Sequence, residues 1–370
     1  MTWRPCKLGD VITLQRGHDL PEAQRRDGPV PIISSSGHTG SHDQAKAKGP
    51  GVVTGRYGTL GEVYFVEEDY WPLNTALYVV DFKGNDPRFV SYFLKHTLTN
   101  LQSDKAAVPG VNRNVLHALE VRCPRRDLQL RIAEILSAYD DLIENNRRRM
   151  ALLEDAARQL YREWFGRLRF PGHEHTPVFD GLPEGWERRL LFDIATPTYG
   201  HPFKSALFNG AGDGLPVARI RDVLAGESAT FTPEEGPSDR RLNDGDLLIG
   251  MDGDFHMGLW AGGAAWLNQR VVRISGRGEI ADYLLFWLLR GPIKNFNETL
   301  TGTTVVHLGA KELKTIELLV PSAGRELLRE ANAHFGSIGN QLTTLKLLNI
   351  KLRSARDLLL PRLMSGEVAA

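Results

Sequence analysis

Two stretches of this chain repeat apolar side chains at alternating steps of three and four residues. After Pro124 the apolar positions are Ile132, Ile135, Tyr139, Leu142, Ile143, Met150, Leu153, Ala157, Leu160 and Trp164, with a break near Asn146. After Pro321 they are Phe335, Ile338, Leu342, Leu345, Leu348, Leu352, Ala355 and Leu359. This spacing predicts two long helices, each with a coiled-coil seam, and the break reads as a stutter. Ser322 is placed to cap the second helix, and Pro361 should end it. At 1.5 Å per residue each helix spans about 50–60 Å. A helix with one apolar seam needs a partner, and the other helix is the nearest, so an antiparallel pair is expected. Each helix packing on its own domain is the alternative. Asn146 near the seam would hold register at some cost in stability. Leu347 and Ile350, off the seam, leave surface for another protein's helices.

Between these stretches the pattern changes. Short runs such as Val52-Val53, Val63–Phe65, Leu77–Val80, Asp246–Ile249 and Arg270–Ile274 are separated by Gly and Pro turns, which predicts strands in mixed α/β domains. The chain also repeats itself over half its length. Trp3, Leu8, Asp10, Val11, Thr13 and Gly17-His18 are answered by Trp186, Leu191, Asp193, Ile194, Thr196 and Gly200-His201. Gly55–Gly58 is answered by Gly250–Gly253, Trp71–Asn74 by Trp266–Asn268, and Tyr92–Leu94 by Tyr283–Leu285. Solenoid units are far shorter than this period, so it reads as a duplicated domain. The expected fold class is mixed α/β (α+β), with two duplicated globular domains separated by two long antiparallel coiled-coil helices. The expected boundaries are a first domain over 1–124, a helix over 125–170, a Gly- and Pro-rich linker over 171–185, a second domain over 186–321, and a second helix over 322–370.

Composition narrows the function classes. The 370 residues are 42% hydrophobic and 24% charged, with a formal net charge of +0. Neutrality argues against a protein that coats nucleic acid by charge alone. Residues 181–324 hold 14 basic and 18 acidic side chains, a balance of −4. No run of eighteen apolar residues is present, so no membrane span is expected. The opening Met1–Pro5 has no apolar signal region, which predicts a cytoplasmic protein. Cys6 and Cys123, far apart in sequence, support neither a disulfide frame nor a zinc site.

Several segments resemble the specificity subunit of Type I restriction–modification systems. They are the two Trp…Leu…Asp openings, the glycine loop Gly55–Gly61, Leu267–Gln269, and above all Gln129–Leu136, Asp140–Asn146 and Leu153–Phe165. The resemblance implies two target-recognition domains alternating with two conserved helical regions. Each domain would read one half of a bipartite site in double-stranded DNA, and the helices would set the gap. It further implies adenine methyltransferase subunits docked on those helices, a motor-nuclease subunit for cleavage, and no catalytic centre or cofactor in this chain. The second helical region, 325–370, is compact for the family.

Base readers are expected among polar side chains on loops. In the first domain these are Gln15, Arg16, His18, Ser34, Ser35, Ser36, His38, Arg56, Tyr57, Arg113 and Asn114. In the second they are His201, Lys204, Arg219, Arg221, the stretch Asp252–His256 with His256, Gln269, Arg270, Thr303 and Thr304. Each is equally the kind of residue that sits solvated on a loop. Asn74 and Asn268, present in both repeats, suit turn-forming Asx hydrogen bonds better than target choice. Trp3 and Trp186 are expected as core anchors. Enzyme readings lack their parts. Phe208–Gly212 resembles a methyl-donor loop, but no Asn/Asp-Pro-Pro-aromatic motif accompanies it to hold an extruded adenine. Gly55-x-x-Gly58-x-x-Gly61 has neither dinucleotide nor Walker spacing. Asp252-Gly-Asp254 lacks a full calcium-loop pattern, and no zinc spacing is present. The competing function is an assembly scaffold or anti-restriction DNA mimic, for which the −4 balance speaks.

Overall fold

The computed structural model describes residues 3–56, 61–104, 112–278, 280–299, 307–322 and 325–370. The fold is mixed α/β, and the chain divides into two compact units, residues 1–142 with 352–370, and residues 143–351.

The first unit contains β1 (Arg4–Lys7), α1 (Leu8–Val11), β2 (Thr13–Arg16), β3 (Val30–Ser34), β4 (Gly37–His42), β5 (Gly51–Gly55), β6 (Val63–Val66), β7 (Trp71–Pro72) and β8 (Ala76–Asp81). After these come α2 (Pro87–Asp104), α3 (Arg113–His117), β9 (Glu120–Cys123) and the start of α4 (Arg126–Tyr161). An antiparallel sheet has strand order β2-β8-β5-β6, and a smaller one has order β4-β3-β7 with β3 and β7 parallel. A ribbon pairs β1 with β9. Side chains alternate across a strand, so β5 feeds two cores. Val52 packs with Phe89, Phe93 and Leu136, while Val53 packs with Ile33, Tyr70 and Tyr78.

The second unit begins with the rest of α4, followed by a hairpin of β10 (Val178–Phe179) and β11 (Leu182–Pro183). It turns through Asp180 and Gly181, both at positive φ, as a two-residue hairpin requires. The expected linker is thus partly ordered. There follow β12 (Trp186–Leu190), α5 (Leu191–Ile194), β13 (Ala195–Tyr199), β14 (Leu215–Ala218), β15 (Phe231–Thr232), β16 (Arg241–Leu242), β17 (Leu247–Gly250), β18 (Met257–Leu259), β19 (Ala265–Leu267) and β20 (Val271–Gly276). Then come α6 (Asp282–Thr299), α7 (Ala310–Lys314), β21 (Glu317–Pro321) and α8 (Glu326–Ser365). The order β13-β20-β17-β18 repeats that of β2-β8-β5-β6. The parallel pair β14–β19 repeats β3–β7, and the ribbon β12–β21 repeats β1–β9. The duplication seen in the sequence is a duplication of topology. Trp186 is buried against Phe165 and Phe170, and Trp3 packs at the edge of the first unit's core, so both are anchors.

Within each unit the long helices run antiparallel. In the first, Leu128, Ile132 and Leu136 share a core with Leu360, Leu363 and Met364, and Asp140 binds Arg356. In the second, Asn146 Nδ2 donates to Asn349 Oδ1 at 2.9 Å, and Ala157 and Phe165 share a core with Ala331, Phe335 and Leu342. The seam differs from the apolar pattern at several positions. Leu142, Leu348 and Ala355 are exposed, while Asn146, Asn349 and Arg356 occupy the facing positions. The α4 seam therefore runs unbroken through Ile143, Asn146, Met150, Leu153 and Ala157. The apparent stutter arises because a polar residue holds a seam place and has a polar partner opposite. Pro361 does not end α8, which continues to Ser365. Proline removes one backbone donor, and burial of Leu360, Leu363 and Met364 holds the final turn. Ser322 is not the cap either, since α8 begins at Glu326.

Candidate nucleic-acid interface

In the first unit the ends of β2, β3 and β5 converge on the turn Leu73–Thr75. His18 N donates to Pro72 O at 2.8 Å, Leu73 N to Ile33 O at 2.8 Å, and Arg56 N to Thr75 O at 3.1 Å. Gly17 makes this possible, because a Cβ there would stand 2.2 Å from Leu73 O. Two guanidinium groups share one acceptor: Arg16 Nε and Arg56 Nη1 donate to Asn74 O at 3.2 and 3.3 Å. Asn74 Nδ2 in turn donates to Asp19 at 2.6 Å, and Ser35 N to Thr75 Oγ1 at 3.3 Å. His18 Nε2 lies 3.2 Å from the Tyr78 hydroxyl. Ser34 is buried, and its Oγ accepts from Ser36 N at 3.1 Å, a turn-forming role. Ser36, His38 and Gln15 are exposed. Arg113 and Asn114 are exposed on α3, which packs on α1 and β2. Tyr57 lies outside the described residues.

The second unit builds the same junction around Leu267–Arg270. His201 N donates to Leu267 O at 2.9 Å, Asn268 N to Ala218 O at 3.2 Å, and Met251 N to Arg270 O at 2.9 Å. A Cβ on Gly200 would stand 2.0 Å from Asn268 O. Asn268 Oδ1 accepts from Arg270 N at 3.2 Å, the Asx turn its recurrence pointed to. Gln269, Arg270, Arg221 and Lys204 are exposed, and Lys204 N donates to Glu234 at 2.8 Å. His256 is half-buried. Arg219 is held within its own domain by Asp222 and Thr230. Phe208–Gly212 is a turn in which Asn209 Oδ1 accepts from Ala211 N at 3.1 Å. Thr303 and Thr304 lie outside the described residues.

Asp252 accepts from Arg270 through one carboxylate oxygen, and its other lies 2.7 Å from His307 Nδ1. Burial works to raise this carboxyl, but hydrogen bonds from His307 and Arg270 leave it below the usual carboxylate range. Residue patterns had not pointed to His307 or to Thr75. Asn74 carried a signal, its match with Asn268, whereas His307 stands outside every repeated landmark. Among the described residues no group of three or more His, Cys, Asp or Glu side chains could hold a metal ion. No helix among them is long and apolar enough to cross a membrane.

Residues 1–155 match the family described as the Type I restriction modification DNA specificity domain. The EcoBI specificity subunit of Escherichia coli is 35% identical over 151 residues, 40% of this chain and 32% of that protein. The MjaIX specificity subunit of Methanocaldococcus jannaschii is 24% identical over 282 residues, 72% of this chain and 64% of that protein. The chain thus spans less than two thirds of the length of these two relatives. The crystal structure of a Type I restriction–modification S subunit from M. genitalium superposes over 98% of this chain and 96% of its own, with a TM-score of 0.66. At 17% identity that likeness is one of fold. Residues 1–155 thus match the Type I restriction modification DNA specificity domain, and the fold of the chain is that of a solved S subunit.

Proposed function

We propose that this chain is the DNA sequence-specificity subunit of a Type I restriction–modification complex, each globular domain reading one half of a bipartite site. The observation that carries the reading is the recurrence of one polar junction. In both units a Gly-His turn, a parallel strand and a third strand end meet at one loop, with exposed donors beside it. Residues 1–124 and 186–321 are the two target-recognition domains, and residues 125–170 and 322–370 are the spacer helices. Those helices set the gap and dock adenine methyltransferase subunits, and a motor-nuclease subunit joins for cleavage. The chain supplies recognition and no catalytic centre, and acts in the cytoplasm. Two modules at fixed spacing multiply the selectivity of two short half-sites.

The acidic balance of the second domain favours a DNA mimic, but three of its carboxylates are already engaged. Asp222, Asp246 and Asp252 pair with Arg219, Arg273 and Arg270 of the same domain, whereas a mimic needs them facing outward. The deciding experiment co-expresses the chain with the methyltransferase from its genomic neighbourhood and maps modified adenines by long-read sequencing. A split motif with a fixed gap is expected. A stable complex without new modification would transfer the assignment to a scaffold or mimic.

A further inference from the structure

We propose that Asp252, Arg270 and His307 form one DNA-contact unit of the second domain, with His307 touching DNA and Asp252 positioning it. This rests on the DNA-specificity reading above.

The Asp252 side chain is 10% exposed, while those of Arg270 and His307 are 59% and 55% exposed. One nearly buried carboxylate therefore holds two outward-facing donors, one on each oxygen. The backbone frames all three. Asp252 and His307 form an antiparallel bridge. Leu308 N donates to Met251 O at 2.7 Å, and Met251 N to Arg270 O at 2.9 Å. With Nδ1 turned to Asp252, the imidazole keeps Nε2 for a ligand, and the carboxylate fixes the ring's orientation. A pair made only for stability has no need to leave both of the carboxylate's partners more than half in solvent, where such pairs contribute little. The unit adjoins exposed Gln269 on the same loop. His307 Nε2 accepts from a base amine in the neutral ring and donates in the doubly protonated ring, while Arg270 and Gln269 offer donors to acceptors on DNA. Those acceptors are phosphate oxygens or the O6 and N7 atoms of guanine.

The test uses the chain in complex with its methyltransferase and duplexes carrying the mapped site. His307→Ala is expected to weaken binding roughly tenfold, with the melting temperature, first half-site and gap unchanged, and Asp252→Asn to weaken it as much with a lowered melting temperature, since the ion pair with Arg270 is lost. If the acceptor is a base, one position of the second half-site relaxes. If it is a phosphate, all sequences weaken alike and the salt dependence falls by about one contact. His307→Gln, whose side-chain amide can donate or accept in place of the imidazole, is expected to recover part of the affinity. Wild-type affinity, motif and salt dependence in His307→Ala would overturn the proposal, as would a lowered melting temperature as the only change. Failure of the wild-type complex to bind any duplex would instead remove the specificity reading itself.

Discussion

At the scale of single residues, the recurring Gly-His turn shows why one side chain type is required. Gly17 and Gly200 stand where backbone carbonyls of Leu73 and Asn268 leave no room for a Cβ. Gly17→Ala or Gly200→Ala should cost about 1–3 kcal/mol, as overpacking does, read from denaturant midpoints. Arg56→Ala should weaken modification at cognate sites, on the order of tenfold, with assembly on the methyltransferase intact in pull-down. Arg219→Ala should lower stability as well, because Arg219 ties the 219–222 turn to Thr230. His117 supplies a pH dependence. Its Nε2 accepts from Leu14 N at 2.9 Å, and burial, with Lys83 and Arg113 nearby, holds the ring below its ordinary value of 6.5. The unfolded chain then takes up the proton first, so stability falls as pH drops below 6.5. His117→Gln, which keeps an acceptor, should flatten that part of a stability–pH curve.

At the scale of elements, the helices were legible and their seam only partly so. Alternating steps of three and four located α4 and α8, because that period follows from helix geometry alone. The same rule mistook Leu348 and Ala355 for seam residues in place of Asn349 and Arg356. Apolar spacing cannot register a polar side chain that is buried because a partner some two hundred residues away satisfies it. Asn146→Ala should cost about 1–3 kcal/mol, since it leaves the buried Asn349 Oδ1 without its donor. The double variant Asn146→Leu with Asn349→Leu should recover most of that loss. A double-mutant cycle from urea unfolding measures the coupling, and strict additivity would show that the two asparagines do not cooperate. Pro361 teaches a related lesson: a helix breaker stops a helix only where packing does not hold the next turn.

For the whole molecule, the lengths of the two long helices set the scale for the proposed spacing. α4 has 36 residues and α8 has 40, or about 54 and 60 Å at 1.5 Å per residue. Lengthening the 142–165 stretch by about one turn should change the gap between half-sites and leave the half-sites themselves as they were. Long-read mapping reads both at once, and an unaltered gap would end the idea of the helices as a ruler. Residue order alone carried the duplication, the strands and the two long helices, because repeats and periodicities are properties of neighbours in the chain. It also carried the likeness of residues 1–155 to the DNA specificity domain. The composition of each polar junction was decided in three dimensions. Arg16 and Arg56 meet at Asn74, and Arg270 and His307 at Asp252, because separate strand ends are hydrogen-bonded to one loop. That pairing depends on distances in the folded chain and leaves no period to read.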